Sequence, residues 1–551
     1  MKFLFPLILL LISTIGLFPL LHDGLFLTHD GDLQIARIAA YYKAIIDGQF
    51  PVRWGSDLNF GYGHPVLIFM YPLPSYLGAA LYILGIGLSD SFKIITAASF
   101  VAANISMYLF LNEFFKNRLA AFIGALVYGF APYRFLNMYV RGDIGEEMAL
   151  VFVPLVLFAL TKLYKKGNKM YVPLGGIFYA LLILSHNGLA LIFSPVLFLF
   201  FLISFFVLKD RRYLVYGISL FVIGLLLSAF FWIPALWESR FIQAKILIGS
   251  MFADHFPSIA QLLYSQWGFG PDVNKPGGLS PQIGSLQLVS LLAFIPLVFM
   301  WKNKRYIFAL YFFIVFAAAI FFMTSASKSF WETIPFLPYL QFPWRINAAV
   351  LICASFISAY ILNTDPIRRM ISKNIGKLLL ISFIALMIYI SAPFTETKER
   401  RKINEDHYLN FTGDTTFHGQ TNSIWTDSNK DRPSKSPIEI IGGEVSIENL
   451  ERSSTRHVFN ANVKRDAQIL DNTVYFPGWQ VKVDGQKVPI EFQDMNHRGL
   501  ITFYIPKGNR IVEVEFKESP IRFISDILSL AAVILVTIGL VFYKKLSWVE
   551  R

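Results

Sequence analysis

VLIFMYPLPSYLGAALYILGIGL, residues 66–88, is the stretch on which the topology turns. It is apolar and long enough to cross a bilayer, for which about 20 residues suffice. Yet Pro72, Pro74, Gly78, Gly85 and Gly87 interrupt it. Around it lie twelve apolar segments of span character, at residues 3–21, 92–111, 119–138, 148–163, 170–184, 189–208, 213–234, 283–300, 306–323, 346–362, 378–392 and 523–543. If 66–88 does not cross and Lys2 is cytoplasmic, then Lys116, Arg118 and the basic residues of 162–169, 209–212, 302–305, 368–377 and 544–551 all face the cytoplasm. Short loops obey that positive-inside bias. A crossing at 66–88 inverts every one of these clusters. The segment therefore reads as re-entrant or interfacial, with the backbone groups freed by its prolines satisfied by protein or water rather than lipid.

Composition agrees with lipid as the main solvent. Of 551 residues, 55% are hydrophobic and only 16% charged, against about 25% in soluble proteins, and the mean hydropathy is +0.52. This excludes a cytosolic multidomain enzyme, a disordered chain and a coiled coil. The formal charge of +12 comes from 49 Lys and Arg against 37 Asp and Glu; the basic residues cluster between apolar runs, so the excess records topology and requires no nucleic-acid partner. Cys353 stands alone, which rules out an internal disulfide or a Cys-based metal site. Segment 3–21 is long for a signal peptide and lacks a small-x-small cleavage pattern, so it reads as a retained first helix.

The expected architecture is a polytopic α-helical membrane protein of about twelve transmembrane helices plus the re-entrant segment, with both termini cytoplasmic in the plasma membrane. Residues 1–392 form the transmembrane domain, with outer loops 22–91, 134–147, 235–282 and 324–345. Residues 393–521 form an extracytoplasmic β-rich domain, and 522–551 a final helix and tail. Within 393–521, strands are read at 473–476, 480–483, 488–492, 500–505 and 510–516, with Asp484-Gly485 as a hairpin turn. A small β-sandwich is expected there, preceded by a loop-rich half near 404–435.

The outer loops carry the polar residues suited to chemistry, so a site should open outward. The first holds Thr28-His29-Asp30-Gly31-Asp32, then Arg37 and Arg53. Asp30 and Asp32 can take a proton from an acceptor hydroxyl or share a divalent cation such as Mg or Mn; either can instead cap the helix that begins near Leu33. The second loop offers Arg141, Asp143, Glu146 and Glu147 ahead of an apolar helix, where carboxylates suit the dipole. His186 and Asn187 form a tight turn, and Arg240, Trp344 and Arg345 complete the candidates. Arg345 opens a helix at the outer face, where an anionic partner such as phosphate best explains a cation. No His-Glu-x-x-His, P-loop, dinucleotide fingerprint or Gly-x-Ser-x-Gly occurs.

Taken together, helix, acidic first loop, Pro-rich juxtamembrane segment, helix pair and acidic second loop resemble the GT-C superfamily of membrane glycosyltransferases. More narrowly, Thr28 to Gln34, Tyr139 to Glu147, Ser185-His186-Asn187 and Phe342-Pro343-Trp344-Arg345 resemble the bacterial membrane family labelled 6-pyruvoyl-tetrahydropterin synthase-related. Tyr475-Phe476-Pro477-Gly478-Trp479 and Val483-Asp484-Gly485 are similar to the tail of the YfhO-like family. Pterin chemistry is not implied, since the soluble synthase uses a zinc-binding His cluster that this chain lacks. The resemblance implies inverting transfer of a sugar from a polyprenyl-phosphate donor to a cell-envelope glycan, polymer or protein. Asp30 or Asp32 would be the base, with Arg141, Arg345 and Arg240 at the leaving phosphate. The alternatives are a non-catalytic envelope assembly protein and a lipid or polysaccharide transporter.

Overall fold

Long apolar runs fold as helices because lipid leaves no other partner for backbone N–H and C=O groups. The computed structural model describes residues 4–166, 168–298, 305–416, 419–426 and 432–549, with the side chains of Lys166, Val298 and residues beyond Val541 excepted. Lys2, Lys302, Lys304 and Arg551, which entered the topological reading, lie outside the described residues, as does the end of segment 283–300. Among the described residues, seven helices are long and apolar enough to cross a membrane, or up to nine if each of two bent pairs is one span. The bent pairs are Arg118–Gly129 with Pro132–Arg141, at 48°, and Arg211–Leu227 with Ala229–Phe241, at 69°. Leu4–Ile15, Tyr171–Ser185 and Ser285–Leu297 are apolar but shorter. Residues 66–88 make no single spanning helix: Val66–Phe69 and Leu73–Ile83 are separate helices, parted at Met70–Pro72.

Burial separates centre from rim. The windows in Ile144–Lys165 and Pro343–Leu362 are 83% and 89% buried, those in Asn374–Thr395 and Pro520–Val541 only 17% and 22%. The first two therefore run through the bundle and the last two line its edge. Small residues allow close approach at the centre: Ser355 Oγ donates to the Gly124 carbonyl at 2.6 Å.

A two-stranded antiparallel sheet joins β1 (Leu25–Leu27), just before the first-loop acids, to β2 (Lys398–Arg401). The remaining strands are β3 (Ile438–Arg452), β4 (Arg456–Val474), β5 (Trp479–Val483), β6 (Gln486–Val488), β7 (Leu500–Ile505) and β8 (Gly508–Phe516). They form one six-stranded antiparallel sheet in the order β3-β4-β8-β5-β6, with β7 also on β4. This differs from the expected sandwich of short strands from 473 onward. The 19-residue β4 pairs with β8 over Arg456–Val463 and with β7 over Ala467–Val474, so one strand serves both parts. The β3–β4 hairpin escaped the sequence reading because charged and amide residues fill much of its alternation. Asp484 and Gly485 do form the β5–β6 turn, with φ of 50° and 79°, the left-handed pair that a two-residue hairpin requires.

The sheet shares its apolar core with residues 54–69 and Ile242: Trp54, Tyr62, Ile68, Phe69 and Ile242 join Phe459, Ile469, Trp479 and Val514 in one buried cluster. Buried ion pairs add to the junction. Arg53 donates to Asp526 at 2.7 Å and to the Phe230 carbonyl at 2.8 Å, while Arg522 grips Glu238 at 3.0 Å.

Candidate functional site

The first-loop acids divide into one engaged and one free carboxylate. Thr28 Oγ1 accepts the Gly31 N–H at 3.0 Å, so Thr28 caps helix Gly31–Ile46 and Asp30, at the N-cap position, makes no side-chain cap bond. That overturns the capping alternative for Asp30. Asp32 pairs with Arg401 at 2.5 Å and accepts from the Tyr408 hydroxyl at 2.8 Å. The half-buried Asp30 carboxylate has no hydrogen-bond or ion-pair partner among the described residues. Burial raises its carboxyl above the ordinary value, opposed by Arg141 and Arg37 and reinforced by Asp143.

Beside it the second loop folds tightly. Leu136–Arg141 is a wide π-type turn, and Gly142 follows at φ 68°. A Cβ there would lie 2.5 Å from Thr28 Oγ1 and 2.9 Å from the Gly31 nitrogen, so only glycine permits the two acidic loops to meet. They are stitched by Asp30 N–H to the Arg141 carbonyl at 2.7 Å and His29 N–H to the Val140 carbonyl at 3.0 Å.

Behind Asp30 lies a buried ionic network. Arg141 donates to Asp143 at 2.8 Å and to Glu146 at 2.6 Å. Arg345, 199 residues further along the chain, donates to the same Glu146 oxygen at 2.6 Å. The other Glu146 oxygen accepts from Tyr133 at 2.7 Å and Asn137 at 3.1 Å. His186 Nε2 stands 3.6 Å from Asp143, and its Nδ1 accepts the Leu189 N–H at 3.0 Å. Burial works against ionisation of Asp143, but Arg141, then His186 and Arg345, hold it well below the usual carboxylate range. Trp344 takes Arg141 over its ring at 5.0 Å and stacks on Phe342.

The structure thus gathers Asp143, Glu146, His186, Arg141, Arg345 and Trp344. It does not bring Arg53 into this group, since that residue docks the last helix. Arg240 is exposed and lies over Trp237 and Phe241, and Asn187 donates to the Phe69 carbonyl at 2.8 Å. Sequence reading missed Tyr71, whose hydroxyl donates to Asp143 at 3.2 Å and accepts from Gln34 at 2.8 Å. Gln34 and Arg37 sit one and two turns beyond Asp30 on its helix face, a spacing that could have flagged them. Arg134 and Glu147 form a separate, wholly buried pair at 2.8 Å.

Among the described residues, the set that could share a metal ion is Asp143, Glu146 and His186, with ligand atoms within 4.8 Å of one another, rather than the expected Asp30 and Asp32. As folded it fits a cation poorly. Both carboxylates are neutralised by guanidinium groups, and His186 already uses Nδ1 as an acceptor, which leaves its proton on Nε2 in the neutral ring.

An apolar cavity of about 250 Å³ lies at the break in the first bent pair, lined by Phe130, Pro132, Trp267, Gln282, Ser391 and Phe394 among others. Its walls continue into the site: Pro132 precedes Tyr133, and the Gln282 carbonyl accepts from Asn347 at 3.3 Å, two residues after Arg345.

Comparison with known proteins gives partial likenesses and one family. A curated but uncharacterized protein of Lactococcus lactis subsp. cremoris (strain MG1363) is 24% identical over 246 residues, covering 43% of this chain and 40% of that protein. Among solved structures, the arabinofuranosyltransferase AftD from mycobacteria is similar with a TM-score of 0.46 and 14% identity, over 72% of this chain and 27% of that one. The Archaeoglobus fulgidus oligosaccharyltransferase gives 0.43 and 15% over 79% and 61%. ArnT from Cupriavidus metallidurans, bound to undecaprenyl phosphate, gives 0.31 and 12% over 64% and 77%. The family model described as "6-pyruvoyl-tetrahydropterin synthase related domain; membrane protein" matches residues 68–397, more than half the chain. The chain therefore belongs to the 6-pyruvoyl-tetrahydropterin synthase related family of membrane proteins, the family that its loop motifs resemble.

Proposed function

We propose that this protein is a membrane glycosyltransferase of GT-C type, moving a sugar from a polyprenyl-phosphate donor to an extracytoplasmic cell-envelope acceptor with inversion, and that Asp30 is its general base. The observation that carries this reading is the Asp30 carboxylate: unpartnered, half-buried, with its proton affinity raised, beside a buried network of arginines and acids. In the reaction the acceptor hydroxyl oxygen attacks the anomeric carbon, the carbon–oxygen bond to phosphate breaks, and Asp30 takes the hydroxyl proton. Such help contributes typically 10²- to 10⁴-fold. Asp32, held by Arg401 and Tyr408, orients the loop instead. The apolar cavity beside the site suits the donor's hydrocarbon chain, and in the topology expected from the basic loops, with both termini cytoplasmic, site and sheet lie on the outer side.

A non-catalytic assembly role is the second reading. It is favoured by one observation, that Arg141 and Arg345 are already neutralised by Asp143 and Glu146. Transport is disfavoured because the network gathers at helix ends. Transfer of labelled sugar from polyprenyl phosphate by membranes containing Asp30→Asn tests the proposal: loss of transfer with intact fold supports it, and wild-type transfer refutes it.

A further inference from the structure

Six arginines are nine-tenths or more buried: Arg37, Arg53, Arg134, Arg141, Arg345 and Arg522. Five are ion-paired, Arg53 with Asp526 at 2.7 Å, Arg134 with Glu147 at 2.8 Å, Arg141 with Asp143 at 2.8 Å, Arg345 with Glu146 at 2.6 Å and Arg522 with Glu238 at 3.0 Å. Arg37, with 6% exposure, has no carboxylate in ion-pair contact among the described residues. A buried charge left without a counter-charge is costly, which is why such groups are normally paired. Arg37 meets only neutral oxygens, Gln34 Oε1 at 3.3 Å and the Thr415 carbonyl. Among the described residues its Nε has no partner, and neither has the wholly buried Thr415 Oγ1. Asp414, the nearest acid of that segment, turns toward His64 at 3.9 Å.

Two unsatisfied donors, one cationic, thus lie at one junction of the first loop and residues 414–416. A neutral sugar hydroxyl would bring no counter-charge into contact with the guanidinium, whereas a phosphate oxyanion accepts from both donors and matches the guanidinium fork. Arg37 lies seven residues beyond Asp30 on one helix, about 10 Å along its axis. It also connects to the ionic network through Gln34, Tyr71 and Asp143.

We infer that Arg37, with Thr415, binds the phosphate oxyanion of the ligand at the outer face, and that the Thr415 carbonyl holds the place of a phosphate oxygen in the conformation described. This rests on the proposed function only for naming the phosphate as the donor's. Arg141 and Arg345, whose charges are already answered, then shape the site rather than capture the anion.

The test is calorimetric binding to the full chain in detergent, with inorganic phosphate and a short-chain prenyl monophosphate as probes. Arg37→Gln is expected to lower affinity for the prenyl monophosphate at least tenfold while leaving the melting midpoint unchanged or higher. Thr415→Val, which removes only an unpartnered hydroxyl, should lower affinity several-fold without loss of stability. Parallel loss of inorganic phosphate binding assigns the site to phosphate itself, and loss for the prenyl compound alone assigns it to a lipid headgroup; either supports the inference. Wild-type affinity in both variants, or no binding of either probe by the wild type, overturns it. Binding of these probes is read without sugar transfer, whereas the proposed base is read by transfer alone, so failure of the base and failure of this site register separately.

Discussion

Arg345 donates to Glu146 at 2.6 Å across 199 residues of sequence, and Arg141 donates to the same carboxylate oxygen at the same distance. One buried oxygen therefore joins the loop at Arg141 to the helix that opens at Pro343. Breaking a buried ion pair from one side strands the other charge, at a cost of about 3–5 kcal/mol.

Glu146→Gln is accordingly expected to be among the most destabilising single changes in the chain, lowering the thermal midpoint in detergent markedly. Replacement of Arg345 by Met should do the same. A midpoint within a degree of wild type for either would show that the network does not hold the fold.

Asp30 should behave in the opposite sense. Its carboxyl is raised in the fold because burial disfavours the charged form, so its stabilising contribution is present below the ordinary carboxyl value and is lost as pH rises through the elevated one. At neutral pH, Asp30→Asn should leave stability unchanged or improve it. The same raised value sets the kinetics: the base works ionised, so the acidic limb of a rate–pH profile should fall above the ordinary Asp range and disappear in the variant. Unfolding scans and rate profiles over pH check both signs.

The Arg401–Asp32 pair is about one-third exposed on each side, and exposed pairs contribute about 0–1 kcal/mol. Replacing Arg401 by Ala should therefore barely move the melting midpoint. It should instead speed amide exchange across β1 and β2, whose pairing this contact braces beside the Asp30 loop. Unchanged exchange at Leu25–Leu27 would contradict that role.

Gly142→Ala forces a Cβ into left-handed backbone, which costs roughly 1–2 kcal/mol, and against Thr28 Oγ1. Loss of stability together with loss of Asp30-dependent activity is expected; a neutral substitution would mean that the two loops do not meet as described.

Much of this site was legible in residues alone, for reasons specific to each. Asp143, Glu146, His186, Arg141 and Arg345 stood out because ionisable groups at a membrane boundary are costly and need partners, and they do converge. What the partners are was not legible: Arg345 called for an anion, and the chain itself supplies Glu146 from far away in sequence. Arg53 and Arg240 looked identical to site arginines in composition, yet one docks the last helix and the other rests on Trp237, distinctions that only tertiary contacts make. The break in residues 66–88 was readable from their prolines, and they fold as two helices rather than one, whereas β3 and β4 were hidden by their polar alternation. Tyr71 carried no signal, since its role depends on where the break between helices Val66–Phe69 and Leu73–Ile83 falls.

The central claim is tested most directly by comparing Asp30→Asn and Asp32→Asn, each purified with its fold verified, in transfer of labelled sugar from polyprenyl phosphate to membrane acceptors. The expected result is loss of transfer by about 10²-fold or more for Asp30→Asn and a smaller loss for Asp32→Asn. Wild-type transfer by Asp30→Asn would contradict the account.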